Sequence, residues 1–187
     1  MFMPSLRPAL ISDIPEILRI QALCYTSIEP EKADAFMNKL QQAADCAYVV
    51  EDKNNIIKDS NDNAHTEIKE NGKLLAYVFA LPIRIEQPPT LDADDFIVPQ
   101  QADCLYLHDL AVDPSARGLG LSAPLLEAFF HTAQARQLSQ ASLIAIQNSV
   151  PFWQRYGFHH RHPLSQDAEL QARISAYGEA AYLTCAL

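Results

Sequence analysis

Paired cysteines are missing from this chain. Its four cysteines, Cys24, Cys46, Cys104 and Cys185, lie far apart and form no C-x-x-C pair. That spacing argues against a disulfide framework or a cysteine-based zinc site, and the default expectation is a reducing, cytoplasmic setting. Long apolar runs are missing too. The longest, "LLAYVFALPI" at 74–83, falls short of the roughly 18 residues a membrane span needs. Positive charge is scarce: 14 Lys and Arg stand against 23 Asp and Glu, a net charge of −9. Such a surface repels nucleic-acid phosphates and is compatible with a cationic substrate. The N-terminal "MFMPSLRPALISDIPEI" lacks the basic-then-apolar order of a secretory leader. No internal repeat is present at solenoid or propeller periods.

What remains is 187 residues, 49% of them hydrophobic, enough for one globular domain, 1–187, with a real core. "SLRPALI" reads as a strand. Ser12 or Asp13 caps the helix that follows, with Pro15 in its first turn. Ile14, Ile17, Leu18 and Ile20 supply that helix's apolar side. A second helix covers about 31–44, with Ala33, Phe36, Met37 and Leu40 at helical spacing. "CAYVVED" and "LLAYVFALPIR" read as a strand pair. Between them, 53–66 is a flexible hairpin insertion, closed by an Asn71-Gly72 turn that needs positive φ. Strand "CLYLHDLAV" (104–112) leads through a glycine loop to a helix ending near Gln137. "ASLIAIQN" is a strand, "VPFWQRY" a short helix, "GFHHRH" a strand, "DAELQARISAYG" a loop or helix, and "EAAYLTCAL" a last strand. The order predicts an α/β (α+β) domain with a single mixed central sheet flanked by helices.

The glycine loop carries the most chemistry. In "DPSARGLGLSAPLLEAFF" (113–130), Gly118, Gly120 and Ser122 alternate with larger residues just ahead of an apolar helix. "GLGLSA" matches the dinucleotide pattern G-x-G-x-x-A, which would make a redox protein. That site, however, opens a domain directly off its first strand. A nucleotide P-loop needs a lysine that is absent here. A third possibility is another pyrophosphate cradle. Main-chain N–H groups of 117–122 and the positive end of the helix would face one anion, glycine would let it approach, and Arg117 would add a charged contact.

"LAVDPSARGLG" resembles the acetyl-CoA loop of the GNAT N-acetyltransferase superfamily, with Val112, Pro114, Arg117, Gly118 and Gly120 matching in order. Ser122 stands where glycine or alanine is usual. "FWQRYGF" (152–158) resembles the superfamily's aromatic pair before Gly-Phe, and with "LRPALISDIPEI" the likeness spans nearly the whole chain. Two segments resemble the arylalkylamine (serotonin) N-acetyltransferases more closely. "LHDLAV" (107–112) is similar to their catalytic strand, with His108 matching its second histidine and Tyr106 at the position of the first. "VPFWQRYGFH" (150–159) is similar to the helix bearing their general acid, where Trp153 replaces the family's tyrosine.

The resemblance implies a GNAT fold and acetyl transfer from acetyl-CoA to a primary amine, small arylalkylamines included. The catalytic group is then His108 as base, Tyr106 and Trp153. Leu110, Ala111, Val112, Arg117, Gly118, Leu119, Gly120, Leu121 and Ser122 hold acetyl-CoA, and Pro30 lies in the substrate loop. Strand alternation puts Tyr106 and His108 on one face and Asp109, the second candidate base, on the other. Indole is not a usable acid, so Trp153 leaves the leaving thiolate without the family's proton donor. Tyr156 reads as core. The alternatives are acetylation of a protein, peptide or amino acid, and an acetyl-CoA-binding regulator with weakened catalysis. "HHRH" (159–162) alternates faces and is not expected to bind a metal. Asp92, Asp94 and Asp95 read as a solvated loop. Expected partners are a small-molecule amine, no nucleic acid and no membrane, with the protein a monomer or homodimer.

Overall fold

The structure, a computed structural model, describes residues 4–25, 29–56 and 72–187. Twelve regular elements follow in order: β1 (Pro4–Pro8), α1 (Ile14–Cys24), α2 (Ala33–Gln42), β2 (Ala47–Ile56), β3 (Gly72–Ile83), β4 (Cys104–Val112), α3 (Ser122–Ala135), β5 (Gln140–Ala145), α4 (Val150–Gln154), β6 (His159–His160), α5 (Ala168–Ser175) and β7 (Ala181–Ala186). The seven strands form one sheet in the order β1-β2-β3-β4-β5-β7-β6. Neighbours are antiparallel except β4 and β5, which are parallel. The glycine loop and α3 make the crossover that a parallel pair requires.

Helices cover both faces. Ile14, Ile17 and Ile20 of α1 and Phe36 and Leu40 of α2 pack with Val49, Tyr77 and Phe79 in one core. Leu125, Leu126, Phe129 and Ala133 of α3 pack with Val50, Val78, Leu105 and Leu107 in the other. Coverage on both sides explains why β3 reads as a nearly continuous apolar run, buried at almost every position, without alternation.

Three expectations change. Asp13 sits at the N-cap of α1 but makes no side-chain cap. Its carboxylate is taken by Arg7, at 2.6 and 2.9 Å, and by the Leu10 N–H at 2.8 Å. Gly72 belongs to β3 and has no positive φ. Its need is a close approach, because a Cβ there would lie 2.3 Å from the Asp52 carbonyl oxygen. "GFHHRH" yields only a two-residue strand. Asn71 and most of the 53–66 insertion lie outside the described residues, although 53–56 extend β2.

Candidate active site

A wedge in the sheet makes the site. β4 pairs with β5 only from Cys104 to Leu107. Beyond Leu107, β4 is paired on its β3 side alone, and Ile144 and Ala145 of β5 pair only with β7. A cavity of about 490 Å³ opens at this divergence, between Leu107–Val112 on one strand and Leu143 and Ile144 on the other. Leu110, Ala111 and Val112, without a strand partner on their β5 side, line it. The end of α1 touches the same stretch: Cys24 Sγ lies 3.3 Å from the Val112 carbonyl oxygen.

Downstream of β4 the chain turns through the glycine loop. Gly118 and Gly120 hold φ of 82° and 74°, a region that costs other residues dearly. A Cβ at either would meet nothing within 4 Å, so both face open space. The N–H groups of Gly118, Gly120, Leu121 and Ser122 find no main-chain acceptor among the described residues, whereas Arg117 and Leu119 donate weakly at 3.4 Å. Unsatisfied donors ahead of a 14-residue helix form an anion cradle, and its donor set suits a diphosphate. Arg117 is exposed, with Nη2 3.7 Å from Cys24 Sγ. Leu119 points its side chain outward, 52% exposed, so only its main chain can serve the cradle.

Upstream on β4, register makes the difference. Asp109 pairs with Phe79 and Leu107 with the next residue, Ala80. His108 is therefore the extra residue of a bulge, a device that re-aims a side chain. The Tyr106 and His108 rings lie 5.9 Å apart, as strand alternation predicts. His108 Nε2 is 2.7 Å from Glu31 Oε2, with side chains 2% and 3% exposed. Glu31 Oε1 accepts from Lys39 Nζ at 2.7 Å and from the Asp92 N–H at 2.9 Å. Burial pushes the Glu31 carboxyl up, but His108 and Lys39 outweigh it and hold it at about 2. His108 Nδ1 is buried with no partner among the described residues.

Asp109 is occupied. Its carboxylate accepts from Tyr25 Oη and, at 2.6 Å, from Tyr77 Oη. Burial raises its pKa, against the pull of those two phenols, and no free oxygen is left for a base. Burial raises Tyr106 and Tyr177 as well, so both remain phenols. Tyr177 lines the cavity, and its hydroxyl faces that of Tyr106.

Trp153 forms part of the cavity wall, 8% exposed, and its indole N–H donates to Ser149 Oγ at 3.1 Å. Tyr156 is half-buried and packs on Phe152 at the edge of the core, ring centroids 5.2 Å apart. Pro30 is exposed at the cavity edge. Asp92 pairs with Lys32 at 2.8 Å rather than standing free. No group of three metal-ligating side chains occurs among the described residues, and no described helix is long and apolar enough to cross a membrane. Sequence reasoning missed Glu31, Lys39 and Tyr177. Glu31 lay next to the noted Pro30, but nothing in the pattern joined it to His108, 77 residues away.

Comparison with known proteins places this geometry. Among solved structures, a chain of the NatC complex bound to Gag peptide and CoA is 16% identical, with TM-score 0.63 over 98% of both chains. The ribosomal-protein-S18-alanine N-acetyltransferase from Escherichia coli is 15% identical, with TM-score 0.60 over 98% of this chain and 94% of that one. N-acetylglutamate synthase from Neisseria gonorrhoeae, complexed with coenzyme A and L-arginine, is 18% identical, with TM-score 0.59 over 100% of this chain and 34% of its own. Likeness at such identities establishes the fold, and these enzymes do not single out the arylalkylamine branch. No curated protein sequence matches the chain. Residues 14–158 match the Acetyltransferase (GNAT) family, a span running from α1 through the wedge and the glycine loop to Phe158. The chain therefore belongs to that family, as an acetyltransferase that uses acetyl-CoA.

Proposed function

We propose that the protein acetylates a small primary amine, arylalkylamines included, with His108 as the base. The observation that carries this reading is the placement of His108: a bulge residue on the cavity wall, with Nδ1 buried and free of any protein partner among the described residues. Bound acetyl-CoA would supply the activated acetyl thioester. The acceptor arrives as an ammonium and must lose a proton before it can attack. Imidazole titrates near neutrality and suits that task. Glu29, at the cavity, and the net charge of −9 favour a cation. Tyr25, Tyr106 and Tyr177 are among the residues that line the cavity, a lining that suits an aryl group better than a bare alkyl chain.

Main-chain N–H groups on the unpaired edge of β4 beyond Leu107 are the donors for the thioester oxygen. Donors placed where charge develops act on rate more than on binding. Neither α4 nor the turn after it offers the cavity a side-chain acid, because the Trp153 N–H is committed to Ser149 and Tyr156, half-buried against the core, is not among the residues lining the cavity. In this reading the thiolate leaves without an acid from α4, and the enzyme depends more heavily on its base.

Thiol release from acetyl-CoA, measured against a panel of arylalkylamines, free amino acids and peptides, tests the proposal. The expected result is highest kcat/KM with an arylalkylamine. Turnover with peptides or amino acids alone would move the acceptor to those classes. Tight CoA binding with no turnover on any amine would leave a binding regulator instead.

A further inference from the structure

We propose that Glu31 is a positioning residue that makes Nδ1, not Nε2, the proton-accepting atom of His108, and that Lys39 fixes Glu31 in turn. The inference rests on the reading of His108 as base and deepens it. Glu31 Oε2 stands 2.7 Å from Nε2, and both side chains are almost wholly buried. The carboxyl stays ionised beside a neutral ring because Oε1 is bound by the Lys39 ammonium and the Asp92 N–H, and Lys39 lowers its pKa against the upward push of burial. An ionised carboxylate is an acceptor only, so Nε2 must carry a hydrogen. Neutral imidazole has one N–H, which leaves the lone pair on Nδ1. That atom is the one with no protein partner among the described residues. The logic is that of an acid–histidine pair in a hydrolase, where the carboxylate selects the tautomer and takes no proton itself.

Lys39 completes the device from α2. Its side chain is fully buried, and Nζ bonds Glu31 Oε1 at 2.7 Å and the Ala93 carbonyl oxygen at 3.2 Å. The other ionisable groups near the ring are committed elsewhere or neutral. Asp109 is held by Tyr25 and Tyr77, and burial keeps Tyr106 a phenol.

Glu31→Gln makes the claim sharp. Lys39 Nζ and the Asp92 N–H are both donors and both meet Oε1. The glutamine must turn its carbonyl oxygen to them and its NH2 to Nε2. Nε2 then has to accept, and the proton moves to Nδ1. Glutamine matches the shape of glutamate, and the variant loses its base.

The test uses the full chain carrying 15N-labelled histidine. Long-range 1H–15N correlation identifies which ring nitrogen is protonated, and the His108 signals are those that vanish in His108→Ala. Wild-type protein at a pH where the ring is neutral is expected to carry its proton on Nε2. Glu31→Gln is expected to carry it on Nδ1, with kcat lower by about 10²-fold or more and unchanged affinity for acetyl-CoA. A wild-type proton on Nδ1, or a Glu31→Gln enzyme with wild-type kcat, overturns the proposal. If Glu31→Gln fails to fold, the wild-type spectrum decides alone. The tautomer is read without turnover, so inactivity toward every amine would sink the proposed function and leave this arrangement standing.

Discussion

Trp153 Nε1 donates to Ser149 Oγ at 3.1 Å, one turn back along the chain at the start of α4. The indole is a wall of the cavity and an anchor for its helix. Its N–H is spent on structure, which separates its role from that of a proton donor.

Trp153→Phe therefore affects stability more than rate. Loss of the hydrogen bond and of indole volume costs about 1–3 kcal/mol, read as a lower urea midpoint. Turnover stays within about three-fold of wild type. A fall of about 10²-fold in kcat with unchanged stability would place the indole N–H in the chemistry after all.

Gly120→Ala tests the cradle. The residue holds φ of 74° with open space where a Cβ would stand. An L side chain there costs about 1–2 kcal/mol of backbone strain, and its methyl projects into the space an anion would use. Calorimetric titration with CoA is expected to give a Kd raised by about ten-fold or more. A variant that loses stability but binds CoA as wild type would show that the cradle faces away from the diphosphate.

Acid stability follows from the depressed carboxylates. Glu31 falls from 4.5 to about 2. Asp113 falls from 3.8 to about 2, where the Ser115 and Arg19 hydrogen bonds overcome burial. Both bind protons more readily unfolded than folded, so their stabilisation is complete above the unfolded pKa and is lost as pH falls toward the folded one. Asp109, raised from 3.8, has the opposite sign: its share is present below that value and fades as pH rises. Glu31→Gln is expected to give a shallower decline of unfolding free energy below about pH 4.5. An unchanged slope would mean that Glu31 is not held ionised by its neighbours.

Much of this architecture was legible because it is local. The apolar spacing of α1, the glycine alternation before α3 and the strand bearing His108 are patterns within short stretches, and each survives in the structure. What the pattern could not carry is long-range. Lys39 sits in α2 between Asn38 and Leu40 with nothing in the local pattern to mark it, yet it is fully buried on Glu31. The bulge at His108 arises from register against β3, which leaves no trace in β4 itself. Asp13 and Gly72 carry strong local signals, for a cap and a turn, that were overruled by an arginine on β1 and a carbonyl on β2. Tertiary partners decided these cases, and partners are what a single sequence hides.

The central claim is that His108 removes the acceptor's proton. Its most direct test is the steady-state turnover of His108→Ala, measured by thiol release with the best amine, beside its Kd for acetyl-CoA. The account predicts kcat lower by about 10²–10⁴-fold with unchanged cofactor affinity. Wild-type kcat in that variant would contradict it.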